Sequence, residues 1–347
     1  MSKRLLPIVV LLTAGGIASA QQAPARTSPA GVCARGEAPP PGPSPAKAGL
    51  VGQYGAVDAV RDISESCGSL VLNGPGLEAA TLQHLSGQHY RATDAAGRPV
   101  TVAFDHGAIV IDGGRLARHD FGAEAQAHIR ADVHADAAGL RAAALAASPP
   151  VEPPPHRPSD LVSLPALDPA IRIHTLYAGV DNFMGVRIYE RTGAYMQRPA
   201  AEALARVAKR LKGRGLGLLV TDAYRPWFAT KMFWDATPPA DHNFVADPAQ
   251  GSRHNRGCAV DLTLYDLKTG RPIEMTGRID EMSTRSAADF KGGTSRQRWY
   301  RDLLRTEMER EGFAVYSDEW WHFDYKDWPD YGIGTATYTE LASGKVR

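Results

Sequence analysis

The chain has 347 residues, enough for one large domain or two ordinary ones. Apolar residues make up 44% and charged residues 22%, the balance of an ordinary globular protein rather than a disordered or fibrous one. A formal net charge of +1 excludes the strong field that nucleic acid or an acidic membrane surface calls for. The basic clusters from Arg206 to Arg214 and from Arg296 to Arg310 are interleaved with acids and apolar helix positions, so they read as solvated helix faces.

In chain order, residues 1–20 read as an export signal. Lys3 and Arg4 are followed by an apolar stretch from Leu5 to Ile17 and by the small residues Ala18-Ser19-Ala20. That stretch is short of the ~20 residues a membrane span needs, and no later segment is long and apolar enough to span. A periplasmic or secreted protein is expected, with an uncleaved anchor as the alternative. Cys33 and Cys67 can then pair under oxidising conditions, leaving Cys258 as a buried thiol. Residues 21–48, rich in Pro, Ala, Gly and Ser, read as a disordered lead-in.

Residues 49–130 carry five short candidate strands, around Leu50 to Tyr54, Ser69 to Leu72, His89 to Ala92, Val100 to Phe104 and Ala108 to Ile111. Gly-containing turn signals separate them, which predicts a small antiparallel β module. His84, His89, His106 and His119 in this part show no metal-ligand spacing. Residues 131–158 are Ala-rich and then Pro-rich, which predicts a helix or stiff connector running into an extended linker.

Residues 159–347 form the second predicted domain. Leu204, Val207, Ala208 and Leu211 recur at helical spacing behind Pro199, and Leu303, Leu304 and Met308 do so before Gly312. Strands are expected at Gly215 to Val220, Cys258 to Leu264, Phe313 to Tyr316 and Trp320 to Tyr325. This order predicts an α+β domain, an antiparallel sheet with helices packed on it.

Three segments carry chemistry. In Ser252-Arg253-His254-Asn255-Arg256-Gly257-Cys258-Ala259-Val260-Asp261, a loop His and a strand Asp can meet at one ion if Gly257 lets the backbone turn tightly. Asp261 falls among apolar neighbours, where a bare charge is costly and a cation removes the cost. In Glu319-Trp320-Trp321-His322, the acid and the His are three apart and would point to opposite faces of a regular strand. Glu319 must therefore lie where the strand is still irregular. His254, Asp261 and His322 together make a three-ligand set with an open fourth position, as a catalytic zinc ion requires, and Glu319 is the acid left to move protons. Arg225, in Asp222-Ala223-Tyr224-Arg225-Pro226 behind a buried strand, can aim its fork at an oxyanion or brace the turn with Asp222.

These segments resemble the vancomycin-resistance D-alanyl-D-alanine dipeptidases, members of a zinc D,D-peptidase superfamily that includes D-alanyl-D-alanine carboxypeptidases. The resemblance runs from about Tyr177 to Tyr325. It rests on Tyr177-Ala178, Asp181-Asn182-Phe183-Met184-Gly185, Gly217 to Val220, Asp222, Tyr224-Arg225-Pro226, Ser252 to Asp261 and Glu319 to His322. It implies one zinc ion per chain held by His254, Asp261 and His322, Glu319 as general base and acid, and Arg225 as oxyanion stabiliser oriented by Asp222. Ser252 and Asp222 are implied at the substrate. The family's Met-Gly-Thr run, closely followed by an Asp near the substrate ammonium, is matched here to Glu281-Met282-Ser283-Thr284 with Asp289-Phe290 further on. A Gly is replaced and the spacing is longer, so the residue that meets the amine is left open. The expected reaction is hydrolysis of D-Ala-D-Ala or a similar short D,D-dipeptide. A D,D-carboxypeptidase or endopeptidase acting on peptidoglycan peptides is the nearest alternative, and a non-catalytic zinc-bearing cell-wall binding module is the alternative from another class.

Overall fold

The computed structural model describes residues 37–344. The expected leader, most of the lead-in and Cys33 lie outside the described residues. The end of the lead-in is ordered: Pro45–Ala48 forms a single helical turn with proline at its start. The module that follows holds nine strands, from Gly52–Tyr54 to Gly114–His119, each antiparallel to its neighbours. Four more strands form than the five expected, because short polar runs such as Gln83–Ser86 pair without an apolar face to announce them. His106-Gly107 and Asp112-Gly113 turn two of the hairpins with positive φ at both residues, the twist that two-residue hairpin loops need. The strands at opposite ends of the sheet, Ala80–Thr81 and Gln83–Ser86, are joined through Leu82 alone. The sheet therefore curls back on itself, around Tyr54, Ile63, Leu72, Tyr90, Val102, Phe104 and Ile109. Cys67 is disulfide-bonded, and Cys258 is a buried free thiol.

The boundary placed near residue 130 falls inside a helix. The module's last strand ends at His119, and Asp120 caps helix α1 (Phe121–Ala135) by accepting from the Ala123 N–H. Asp136 caps α2 (Ala137–Ala146) in the same way through Gly139. Neither helix is a free connector. Ile129, Val133 and Ala144 are buried with Tyr177, Phe183, Tyr189, Phe228 and Phe233 of the second domain. The proline-rich run that follows is extended and held, since Glu152 meets the buried Arg256 guanidinium and accepts from the Ile333 N–H at 2.7 Å.

The second domain is α+β. Its sheet joins β1 (Ile171–Ile173), β2 (Leu216–Asp222), β3 (Ala259–Asp266), β4 (Phe313–Tyr316) and β5 (Glu319–Tyr325) in the order β1-β2-β3-β5-β4. Only β1 and β2 run parallel. Helices α3 (Arg198–Lys212) and α5 (Ser295–Glu309) pack on one face. The α3 stripe Leu204, Val207, Ala208 and Leu211 is fully buried there, and Thr294 with Gln297 closes a capping box on α5. Truncating Leu204 to Ala in this packed layer would cost about 2–5 kcal/mol. Along β3, Val260, Leu262 and Leu264 point into the helical layer. Alternation then sends Asp261 to the opposite face, where helix α4 (Trp227–Ala236) and the aromatic cluster lie.

Candidate active site

Asp261 on β3 stands directly opposite His322 on β5 in the antiparallel register, so the two side chains share a face as neighbours. His254 comes from the loop before β3. That loop closes through Gly257 at φ +68°, where an added Cβ would lie 2.4 Å from Leu161. Three side chains converge. His254 Nε2 is 3.1 Å from His322 Nδ1, His322 Nδ1 is 3.0 Å from Asp261 Oδ1, and His254 Nε2 is 3.3 Å from Asp261 Oδ2.

The partners on the far side of each ring fix which nitrogens face inward. His254 Nδ1 lies 2.6 Å from the Ala223 carbonyl, which can only accept, so that nitrogen carries the proton. His322 Nε2 lies 3.0 Å from Asp324 Oδ1 and donates to it. Two lone pairs and a carboxylate are thereby aimed at one buried point, an arrangement that repels itself unless a cation takes the centre. Ligand atoms at the roughly 2.0–2.2 Å of zinc bonds stand about 3.3–3.5 Å apart at tetrahedral angles. The two nitrogens, 3.1 Å apart, and the two Asp261 oxygens, 3.0 and 3.3 Å from them, are close to that spacing. The residues fit a zinc ion.

Glu319 reaches the same place because β5 begins irregularly. Val315 pairs with Phe323 while Tyr316 pairs with Glu319, so Trp320 to His322 have no partner on β4. That slack brings Glu319 Oε2 to 3.8 Å from His322 Nδ1. Burial pushes the Glu319 carboxyl up to about 8; His322 opposes this, and Asp261 and Asp280 add to it. A cation on the three ligands would draw it back down.

Arg225 is buried, with Nε 2.9 Å from Asp222 Oδ2, one terminal nitrogen 3.7 Å from Asp261 Oδ2, and its plane 4.6 Å from the Phe233 ring. Asp222 also accepts from the Tyr189 hydroxyl at 2.9 Å. It lies behind Arg225 and does not line the cavity, so its expected place at the substrate is corrected to that of a brace for the arginine. Ser252 does line the cavity, and its Oγ accepts from the His254 N–H at 3.2 Å.

That cavity, of about 110 Å3, is walled by Arg225, Ser252, His254, Asp261, Glu319 and His322, with Tyr177, Asp280 and Met282 also in its lining. Asp280 escaped sequence reasoning. It has a left-handed backbone at φ +58°, and its Oδ2 accepts from the Tyr177 hydroxyl at 2.8 Å. Burial raises its carboxyl to about 7, Asp261 adds to the rise, and Tyr177 and Arg225 oppose it. Asp289, the downstream acid matched to the family pattern, is instead largely exposed beside Lys291. The run Met275-Thr276-Gly277 with Asp280 close behind was the signal that could have pointed to this cavity-lining acid. Asp324 was also missed as a partner of His322.

Residues 157–342 match the family described as D-ala-D-ala dipeptidase. Similar proteins include the D-alanyl-D-alanine dipeptidase of Escherichia coli (strain K12), 38% identical over 166 residues that span 48% of this chain and 84% of that protein. The enzyme of the same name from Enterococcus faecium is 35% identical over 46% of this chain and 88% of its own length. That of Streptomyces coelicolor is 33% identical over 49% and 93%. Among solved structures, an LD-carboxypeptidase described as revealing peptidoglycan recognition covers 56% of this chain and 77% of its own, at 18% identity and a TM-score of 0.29. The nine-stranded module and helices α1 and α2 lie outside the family match. With more than half of its residues inside that match, and relatives covered over most of their length, the chain belongs to the D-Ala-D-Ala dipeptidase family.

Proposed function

We propose that the protein is a zinc-dependent dipeptidase that hydrolyses D-Ala-D-Ala or a similar short D,D-dipeptide. Bound by His254, Asp261 and His322, zinc supplies Lewis-acid polarisation of the scissile carbonyl and acidifies water toward a pKa of about 7. The ionised Glu319 carboxylate accepts a proton from the attacking water. Arg225, fixed by Asp222, faces the oxygen on which negative charge develops. Glu319 then gives the proton to the departing nitrogen as the C–N bond breaks, leaving two amino acids. Ser252 and Arg253 line the same cavity and offer a hydroxyl and a cation to the C-terminal carboxylate.

The observation that carries the dipeptide reading is Asp280. A carboxylate lining the same cavity as the metal ligands suits a substrate with a free ammonium group. An N-acylated peptide would bring no positive charge to that carboxylate, leaving it with only the Tyr177 hydroxyl as a hydrogen-bond partner. The cavity is also well below the roughly 300–1,000 Å3 of a drug-sized pocket, which favours a small substrate over a long peptidoglycan stem. Comparing hydrolysis of D-Ala-D-Ala with its N-acetyl derivative tests this; preference for the acetylated peptide would overturn it. We further propose export, with residues 1–20 removed; intact-mass measurement of the mature protein tests that. Among the described residues, no helix is long and apolar enough to cross a membrane.

A further inference from the structure

Asp280 is held from outside the peptidase fold. Its carbonyl accepts a hydrogen bond from Gln126 Nε2 at 2.7 Å, and Gln126 lies on α1, before the family match begins. The next residue, Glu281, is packed under the first turn of the same helix. A Cβ on Gly122 would lie 2.3 Å from Glu281 Cγ, so a glycine at that position lets the helix approach. Two residues before Asp280, the Arg278 guanidinium forms a two-pronged pair with Asp120, the helix cap, at 2.7 and 2.8 Å. On the other flank, Gln53 from the first strand of the β module donates to Thr284 Oγ1 at 2.9 Å. Four contacts from the N-terminal extension thus grip the segment from Arg278 to Thr284.

That segment needs holding. Asp280 is a non-glycine residue in the left-handed region, a conformation that persists only where its surroundings over-determine it. Its carboxylate bears on catalysis only if the backbone stays in that conformation. We infer that the N-terminal extension completes the amine end of the substrate pocket, with Gln126 as the positioning residue for Asp280, braced by the Asp120–Arg278 pair. This rests on the dipeptidase reading above. The extension thereby acts on the site through this loop, whatever else its sheet does.

The test uses the full-length, zinc-loaded protein and the variant Gln126→Met, which keeps length and removes the donor. Two ligands are compared, D-Ala-D-Ala as substrate and N-propionyl-D-alanine, the same molecule without its amine, as a competitive inhibitor. The expected result is a KM for D-Ala-D-Ala raised about 3- to 10-fold, the range that one hydrogen bond supplies, with kcat within about twofold. The inhibition constant of the amine-free compound should stay unchanged. An unchanged KM, or equal weakening of both ligands, would overturn the inference. If Gln126→Met does not fold, the same comparison on Arg278→Ala, a surface pair broken without opening the core, decides in the same way. A wild-type protein indifferent to the amine would instead sink the amine-pocket reading, and this inference with it.

Discussion

Asp324 Oδ1 lies 3.0 Å from Nε2 of His322, and this contact decides which nitrogen of the ring is left for a metal. With Nε2–H committed to Asp324, Nδ1 turns its lone pair toward Asp261 and His254. Burial works against a charge on Asp324, but the His322 hydrogen bond, with the Arg253 guanidinium 3.6 Å away adding to it, holds its carboxyl below the usual range. Asp324→Asn is therefore expected to lower zinc affinity about 10- to 100-fold, the usual loss when the partner of a ligating histidine is removed. Competition against a calibrated chelator measures it, and an unchanged affinity would remove Asp324 from the site.

Glu319 Oε2 lies 3.8 Å from His322 Nδ1 and stands outside the set of three converging ligands. Glu319→Ala and Glu319→Gln are expected to bind zinc as the wild type does and to lose at least about 100-fold in kcat. Metal content and turnover measured on the same preparation separate the two roles. Activity near wild type would exclude Glu319 as the proton carrier.

Asp280 gives a pH signature. Its carboxyl is raised to about 7 by burial, so it carries charge for an ammonium group only above that pH. The substrate's own amine loses its charge near pH ~8. Below saturation, kcat/KM should climb as pH rises through about 7 and fall again near 8, and Asp280→Asn should lose the rising limb. The linked stability effect has a definite sign. A carboxyl raised from 3.8 to about 7 binds its proton more tightly when folded, so stability falls as pH rises between those values. The cost above pH 7 is on the order of 4 kcal/mol. Asp280→Asn should accordingly raise the thermal midpoint at pH 8, with the gain shrinking toward pH 4. A gain independent of pH would contradict the assignment.

Arg225 and Asp222 form a buried pair 2.9 Å apart. Removing Asp222 by substitution to Ala leaves a buried guanidinium short of its main partner, and a loss of about 3–5 kcal/mol is expected. Denaturant titration measures it. A loss under 1 kcal/mol would mean that Asp261 and the Tyr177 and Phe233 rings hold Arg225 without Asp222.

The parts of the site written as short local patterns were legible in the sequence. His254 and Asp261 are joined by one tight loop, and β-strand alternation alone turns Asp261 away from Val260 and Leu262. The irregular start of β5 also followed from residues, because Glu319 and His322 cannot share a face otherwise. What escaped depends on contacts far apart in the chain. Asp280 has a left-handed backbone and accepts hydrogen bonds from Tyr177 and Gln126, 103 and 154 residues away. Asp324 was in plain view beside His322, but its role depends on a ring rotamer that no spacing encodes. Helix α1 was placed partly in the β module because its Ala-rich pattern resembles a connector, and its burial comes from aromatic residues of the other domain.

The central claim is that one zinc ion held by His254, Asp261 and His322 drives peptide hydrolysis. Its most direct test is metal analysis of the purified protein paired with release of D-alanine from D-Ala-D-Ala, before chelation, after it and after zinc is restored. About one zinc per chain is predicted, with activity lost on chelation and regained with the metal. Full turnover by protein shown to be metal-free would contradict it.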